Sequence, residues 1–219
     1  MAETAKVSGR RSFVLHLHPA RVFATSLRPT ATFGLGVSAI ALLLLLFGSG
    51  LLLMLHYTPT PAQAYDDVRD IVAVVPFGDL TRRLHRVATH GLLIVVGLHL
   101  LRVYLNAAYR GRRLFNWLVG LALLVTVLAF AFTGYLLPWD QTAYWACTVG
   151  ADMVALWPGI GPWLKRLFLG GDVVGAHSLL RFYVLHVALL PTLIGALVVY
   201  HLWRLRKDGG LARNDEERP

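Results

Sequence analysis

Four stretches of the chain, 33–56, 87–107, 117–137 and 180–203, are each apolar over about the 20 residues that a helix needs to cross the roughly 30 Å core of a bilayer. No other feature narrows the fold as far. With 56% hydrophobic residues among 219 and a mean hydropathy of +0.58, the chain is too apolar for a soluble domain of its size. The expectation is an all-α membrane protein: one bundle of four transmembrane helices spanning residues 31–208, between a basic N-terminal segment (1–30) and a polar tail (209–219).

Charge orients the bundle. The formal net charge is +9, yet the basic residues scatter at span ends and no soluble domain gathers them. This argues against a nucleic-acid partner and for an orientation signal in membrane lipid. Lys6, Arg10, Arg11, Arg21 and Arg28 precede the first span. Arg110, Arg112 and Arg113 fill the second connection, and Arg204, Arg206, Lys207 and Arg213 follow the fourth span. With four spans all three groups share a side, so that side is expected to be the cytoplasmic face of a bacterial inner membrane, with both termini inside. Asp66, Asp67, Asp70 and Asp79, then Asp140, Asp152 and Asp172, mark the outer face. No cleavable signal peptide is apparent, and Pro19 and Pro29 leave the first 30 residues as a short surface helix or coil in which His16 and His18 are solvated.

Prolines also punctuate the outer side. Pro59 and Pro61 stop the first span and Pro138 the third. The third connection, 138–179, is too long for a plain turn. Apolar residues at helical spacing over 142–156, a break at Pro158, Gly159, Gly161 and Pro162, and a short apolar run over 163–169 predict two helices lying flat and roofing a cavity. Trp139, Trp145, Trp157 and Trp163 suit that interface. A single cysteine, Cys147, excludes an internal disulfide and any CxxC or CxxCH site, and is expected to be a packing residue.

Histidines then point to chemistry. His85 and His99 stand fourteen residues apart, His186 and His201 fifteen. In a helix these steps climb about 21 and 22.5 Å and bring both members of a pair to roughly one face. Spans two and four run in the same direction, so His85 matches His186 near the outer leaflet and His99 matches His201 near the inner one. Each cross-pair is expected to hold a haem iron through two axial imidazoles, which leaves no open position for oxygen or substrate and makes an electron carrier. Gly36 and Gly50 in span one, and Gly120 and Gly134 in span three, repeat the fourteen-residue step. They are expected to be notches where a porphyrin edge approaches the backbone. Arg82, Arg83 and Arg86 break the charge pattern beside His85, where haem propionates would need neutralising. Arg82 and Arg86 outside, and Arg102, Arg206 or Lys207 inside, are the candidate partners, with Arg181 a further one. His56, His90 and His177 have no match and are expected to be structural or solvent-facing.

Leu-His-Arg at 84–86, Leu-His-Leu-Leu-Arg-Val-Tyr at 98–104, Thr-Gly-Tyr-Leu-Leu-Pro-Trp-Asp-Gln at 133–141 with Tyr144 and Trp145, and Arg-Phe-Tyr-Val-Leu-His at 181–186 together resemble the N-terminal half of cytochrome b, and cytochrome b6 especially. The resemblance covers about residues 31–208. It implies a four-helix dihaem bundle with two non-covalent b-type haems, and quinone and quinol as substrates. It also implies partners: a subunit IV-like C-terminal half carrying the missing Pro-Glu-Trp-Tyr motif, a Rieske iron-sulfur protein, a c-type cytochrome and a second copy in a dimer. The cysteine that attaches an extra c-type haem in cytochrome b6 falls on Gly34 here, so no covalent haem is expected. By the same resemblance the Gly-Tyr-Leu-Leu-Pro-Trp segment borders an outer quinol site and Arg206 an inner quinone site. Two other readings stand beside this one: a dihaem anchor exchanging electrons between quinone and a hydrogenase or formate dehydrogenase, and a transporter relaying protons through its histidines.

Overall fold

The computed structural model describes residues 33–207; the basic segment 1–30, with His16 and His18, and the tail 209–219 lie outside them. Among the described residues every regular element is helical. That is how a chain of this hydropathy satisfies its backbone without water. The helices are α1 (Leu35–Met54), α2 (Ala64–Ala73), α3 (Gly78–Leu105), α4 (Leu114–Leu136), α5 (Gln141–Ala155), α6 (Gly161–Leu169), α7 (Ala176–Val184) and α8 (Leu190–Lys207). A 3-10 turn, Gly111–Arg113, leads into α4, and a turn of π-helix, Leu185–Leu189, joins α7 to α8. Four rods are long and apolar enough to cross a membrane: α1, α3, α4 with its leading turn, and α7 through α8 as one unit, Ala176–Lys207.

One boundary and one additional helix differ from the hydropathy reading. α3 begins at Gly78, not at 87, so its first turns carry Asp79, Arg82, Arg83 and Arg86. Hydropathy marks where a helix meets lipid, whereas the helix itself needs only satisfied backbone groups. Here Asp79 sits in the first turn, where the helix dipole favours an acid, and takes Arg83 Nε one turn on at 2.8 Å. The first connection also holds an unexpected helix, α2. Its sequence buries Ala64 and Ile71 on one side, leaves Asp66 and Asp70 exposed and half-buries Asp67, an amphipathic pattern too short for a hydropathy window.

The π-turn solves a register problem in the sequence. At about 100° per residue, a fifteen-residue step in a pure α-helix would leave His201 turned roughly 100° from where fourteen residues would place it. In the π-turn the Leu190 amide reaches back five residues to the Leu185 carbonyl, so one residue is absorbed beside His186. Pro191 supplies the cause: it has no N–H for the next rung of the ladder, and its ring crowds the carbonyl four residues back. That proline is the sequence signal of the widened turn, and hydropathy does not register it.

α1 lies along α3 and α8 along α4, with α3 against α4. Two apolar clusters hold the assembly. Leu92, Val127 and Ile194 are buried at mid-span, with Leu42, Leu43, Leu46, Phe47, Leu123 and Val198 packed around them. A second cluster ties the surface helices to the bundle: Leu136, Ala143, Cys147, Ala151, Leu169 and Phe182 are buried together. α5 and α6 thereby form the expected roof over one end. Asp140 caps α5 by accepting the Ala143 amide at 2.8 Å. Tyr57 donates to the Leu137 carbonyl at 2.6 Å and stacks on Tyr183, which clamps the corner before Pro138. Burial, with Tyr183 and Asp67 nearby, raises the Tyr57 phenol well above the ordinary range.

Cys147 is the packing residue that the sequence suggested, 1% exposed within the roof cluster. Burial pushes its thiol from 9.0 to about 11, which leaves about a hundredfold less thiolate at neutral pH. Native protein at pH 8 should therefore resist a maleimide that labels it fully once the roof is unfolded. Equal labelling rates in the two states would show that the roof is not packed as described.

Candidate functional site

α3 carries His85 and His99, and the rod formed by α7, the π-turn and α8 carries His186 in the π-turn and His201 in α8, so that the four meet at two levels. At the roof-side level the rings of His85 and His186 face each other with centroids 6.3 Å apart and planes at 66°. Two imidazoles sharing one metal ion at about 2 Å per bond would set their centroids roughly 6 Å apart, so the separation fits an ion held between them. At the far-side level His99 and His201 lie within electrostatic range of each other. His85 thus approaches His186 and His99 approaches His201, as the spacing leads one to expect, with the π-turn absorbing the extra residue between His186 and His201.

Each histidine rests against one of the paired glycines. A Cβ built on Gly134 would lie 2.6 Å from Cε1 of His186, and one on Gly50 would lie 3.2 Å from Cε1 of His85. The far-side contacts are looser, 3.6 Å from Gly120 to His201 and 3.8 Å from Gly36 to His99. An imidazole edge thus lies against each of the glycines read as notches. The space beside each Cα is taken by the imidazole itself, because α1 packs on α3 and α4 on α8 closely enough for a ring to reach the neighbouring backbone.

Hydroxyls complete the roof-side level. Ser49 Oγ lies 2.9 Å from His85 Nδ1, and Thr133 Oγ1 lies 3.1 Å from His186 Nδ1. Both hydroxyls sit one residue before a notch glycine, and both are buried. Each also reaches the carbonyl four residues back, Ser49 to Leu45 at 2.7 Å and Thr133 to Ala129 at 2.8 Å. A hydroxyl has one proton and a carbonyl can only accept, so the proton goes to the carbonyl and the oxygen accepts from Nδ1–H. The backbone of Leu46 faces the His85 ring and that of Phe130 the His186 ring. With Nδ1 protonated, the Nε2 lone pair of each roof-side histidine is left for a metal. At the far side the backbone of Asn116 faces the His201 ring, while the buried Nδ1 closes no hydrogen bond.

The other candidates divide. Arg82, half-buried, and Arg86, exposed, lie on α3 within one turn of His85, and neither joins an ion pair among the described residues. Arg206 is exposed near the end of α8, one residue before Lys207, which lies 4.8 Å from the Trp203 ring centre. Arg102 stacks 4.5 Å over Phe33 and lies within electrostatic range of His99. Arg181 drops out, since its guanidinium donates to the Leu167 carbonyl and braces α6 against α7. His56, His90 and His177 are exposed and lie outside both pairs. Sequence reasoning missed Ser49 and Thr133; the signal was a hydroxyl residue directly before a glycine in each of two apolar spans.

Comparison with known proteins agrees with this geometry. The family model described as Cytochrome b/b6/petB matches residues 23–209. Cytochrome b6 of Heliomicrobium gestii is 42% identical over 161 residues, covering 74% of this chain and 76% of that protein. Cytochrome b6 of Synechococcus sp. (strain WH7803) is 35% identical over 175 residues, 80% of each. A solved chain of a hyperthermophilic respiratory Complex III superposes with a TM-score of 0.75 at 30% identity over 86% of this chain, which spans about half (52%) of that longer one. With its family model matched nearly end to end and its histidine and glycine ladders in place, the chain belongs to the cytochrome b/b6 family.

Proposed function

We propose that the chain is the dihaem b-type subunit of a quinol:cytochrome c or plastocyanin-type oxidoreductase. In this reading it carries electrons from an outer quinol-oxidation site to an inner quinone-reduction site. The observation that carries the reading is the approach of His85 to His186, ring centroids 6.3 Å apart, with His99 and His201 within electrostatic range of each other at a second level. No group of three or more His, Cys, Asp or Glu side chains that could hold an ion occurs among the described residues. A metal held by an imidazole pair must then bring its remaining ligands with it, as a porphyrin does. When bound, each haem supplies a one-electron couple with both axial positions filled.

The chain's own residues do the rest. Ser49 and Thr133 orient the roof-side ligands, and Arg82 and Arg86 neutralise propionates beside them. Leu92, Val127 and Ile194 exclude water between the levels. The roof end is the outer face, since the basic residues 110, 112, 113, 204, 206 and 207 gather at the opposite end. There Tyr57 fixes the Leu137 carbonyl, and with it the 134–139 segment that would border a quinol. Arg206 would border the quinone at the far side. Moving one electron through the full membrane field costs about 2.3 kcal/mol per 100 mV, so the far-side couple is the higher in potential. A C-terminal subunit, a Rieske protein, a c-type cytochrome and a second copy complete the assembly, and quinol oxidation belongs to that assembly as a whole.

Redox-titrated optical spectra of the protein purified in mild detergent should resolve two b-type couples, and His99→Leu should remove one and leave the other. A single couple in the parent would overturn the dihaem reading. The glycine distances predict a gradient. Gly134→Ala places a methyl 2.6 Å from His186 and should lose the roof-side haem, whereas Gly36→Ala, at an ordinary 3.8 Å, should keep both. Haem content by pyridine haemochrome checks this, and equal behaviour of the two variants would refute it.

A further inference from the structure

The bundle repeats one ligand unit at both levels but gives only one level a hydroxyl pair. Ser49 precedes Gly50 and Thr133 precedes Gly134, while the matching far-side positions, before Gly36 and Gly120, are Leu35 and Val119. Both hydroxyls are buried, 5% and 4% exposed, and each is aimed by its bond to the carbonyl four residues back. They therefore present lone pairs, not protons, to Nδ1 of His85 and His186. At the far side the His201 ring meets the backbone of Asn116, as the roof-side rings meet that of Leu46 and of Phe130, but among the described residues no hydroxyl joins it.

We infer that Ser49 and Thr133 are positioning residues that lower the reduction potential of the roof-side couple relative to the far-side one. An acceptor on Nδ1–H draws that proton away, which raises the basicity of the opposite nitrogen as a ligand. A more basic pair of axial ligands stabilises the oxidised iron over the reduced iron, and hydrogen bonding around the ligands is one of the levers by which a protein sets a haem potential. Because both axial ligands at one level carry the bond and the far-side pair has no hydroxyl to match, the effect is differential. One electron leaving the reduced roof-side site and arriving at the oxidised far-side site then moves downhill. The hydroxyls add a bias that the histidine ladder, being the same at both levels, does not contain. This inference rests on the dihaem reading above.

The test uses the intact protein with whatever subunits it retains in mild detergent. The roof-side couple is identified as the one lost in His186→Leu. In the double variant Ser49→Ala with Thr133→Val, haem content should stay at two per chain. The roof-side couple should shift toward easier reduction by about tenfold in its equilibrium constant, 59 mV for one electron, with the far-side couple unmoved. Each single change should give part of the shift, and Ser49→Thr or Thr133→Ser, which keep the oxygen, should restore the parent value. Two haems with an unmoved roof-side couple, or equal movement of both couples, would overturn the inference and leave the dihaem reading intact. Fewer than two couples in the parent would overturn the reading itself. If Ser49→Ala loses the roof-side haem, retention in Ser49→Thr supports the role of the oxygen, and loss in both refutes it.

Discussion

The close approach of an imidazole to bare backbone, repeated four times, is the contact on which this bundle is organised. A glycine in a helix interior costs roughly 1 kcal/mol relative to alanine, and at Gly50 and Gly134 it yields in return a slot that a methyl would crowd, while Gly36 and Gly120 leave ordinary contact distances. The tightest, at Gly134, leaves no room even for a methyl beside His186. Helix pairing follows from this. α1 must run along α3, and α4 along α8, because only there can the ring of one helix enter the slot of the next. The identical spacing of histidines and glycines is then a single periodicity expressed on partnered helices. The fifteen-residue step in the fourth span is the one mismatch, and the π-turn before Pro191 removes it.

Between the two levels the bundle has to be a poor solvent for charge. Leu43, Leu92, Val127 and Ile194 lie close to midway between the paired positions on their respective helices, and they pack into one cluster. An apolar plug at that height denies water a path between the levels, so the field dropped across the membrane falls over packed hydrocarbon. Burial there is modest in extent: at most 17% of the apolar window of any span lies buried inside the chain. Most of each helix therefore faces lipid or neighbouring subunits, and the interior is reserved for ligands, slots and plug.

Much of this was legible in the sequence because it is periodic. Span number follows from hydropathy, depth matching from equal steps, and the two roof helices from apolar spacing interrupted by Pro158 and Pro162. The start of α3 was not legible, since Asp79 and Arg83 satisfy a helix start without being apolar. α2 was too short and too polar for a hydropathy window. The notch glycines were found, but not the histidine that lies against each of them. Spacing reports that something approaches the backbone, and only coordinates report that it is Cε1 of a histidine. Ser49 and Thr133 were passed over because a hydroxyl in an apolar span usually bonds back to its own helix, as both of these do. What distinguishes them is the second lone pair, which spacing does not reveal.

The scaffold is close to symmetric, and its surroundings are not. α1 with α3, and α4 with α8, repeat the same glycine and histidine ladder, so ligand identity alone would make the two levels equivalent. The roof end adds buried hydroxyls, a lid of α5 and α6, and Arg82 and Arg86 near His85. The far end adds Arg102 stacked on Phe33 and Arg204 placed 5.7 Å over Phe115, with α8 ending in Arg204, Arg206 and Lys207. Positive charge near a couple favours its reduced, less positive state, and the far end concentrates that charge on α8 and the end of α3. On the dihaem reading, hydroxyl acceptors on the roof-side ligands and the larger group of cations at the far end push the two couples apart in the same sense, against the opposing pull of Arg82 and Arg86 beside His85. On that reading, direction is written in what surrounds the histidines, and a symmetric ladder can carry one-way traffic.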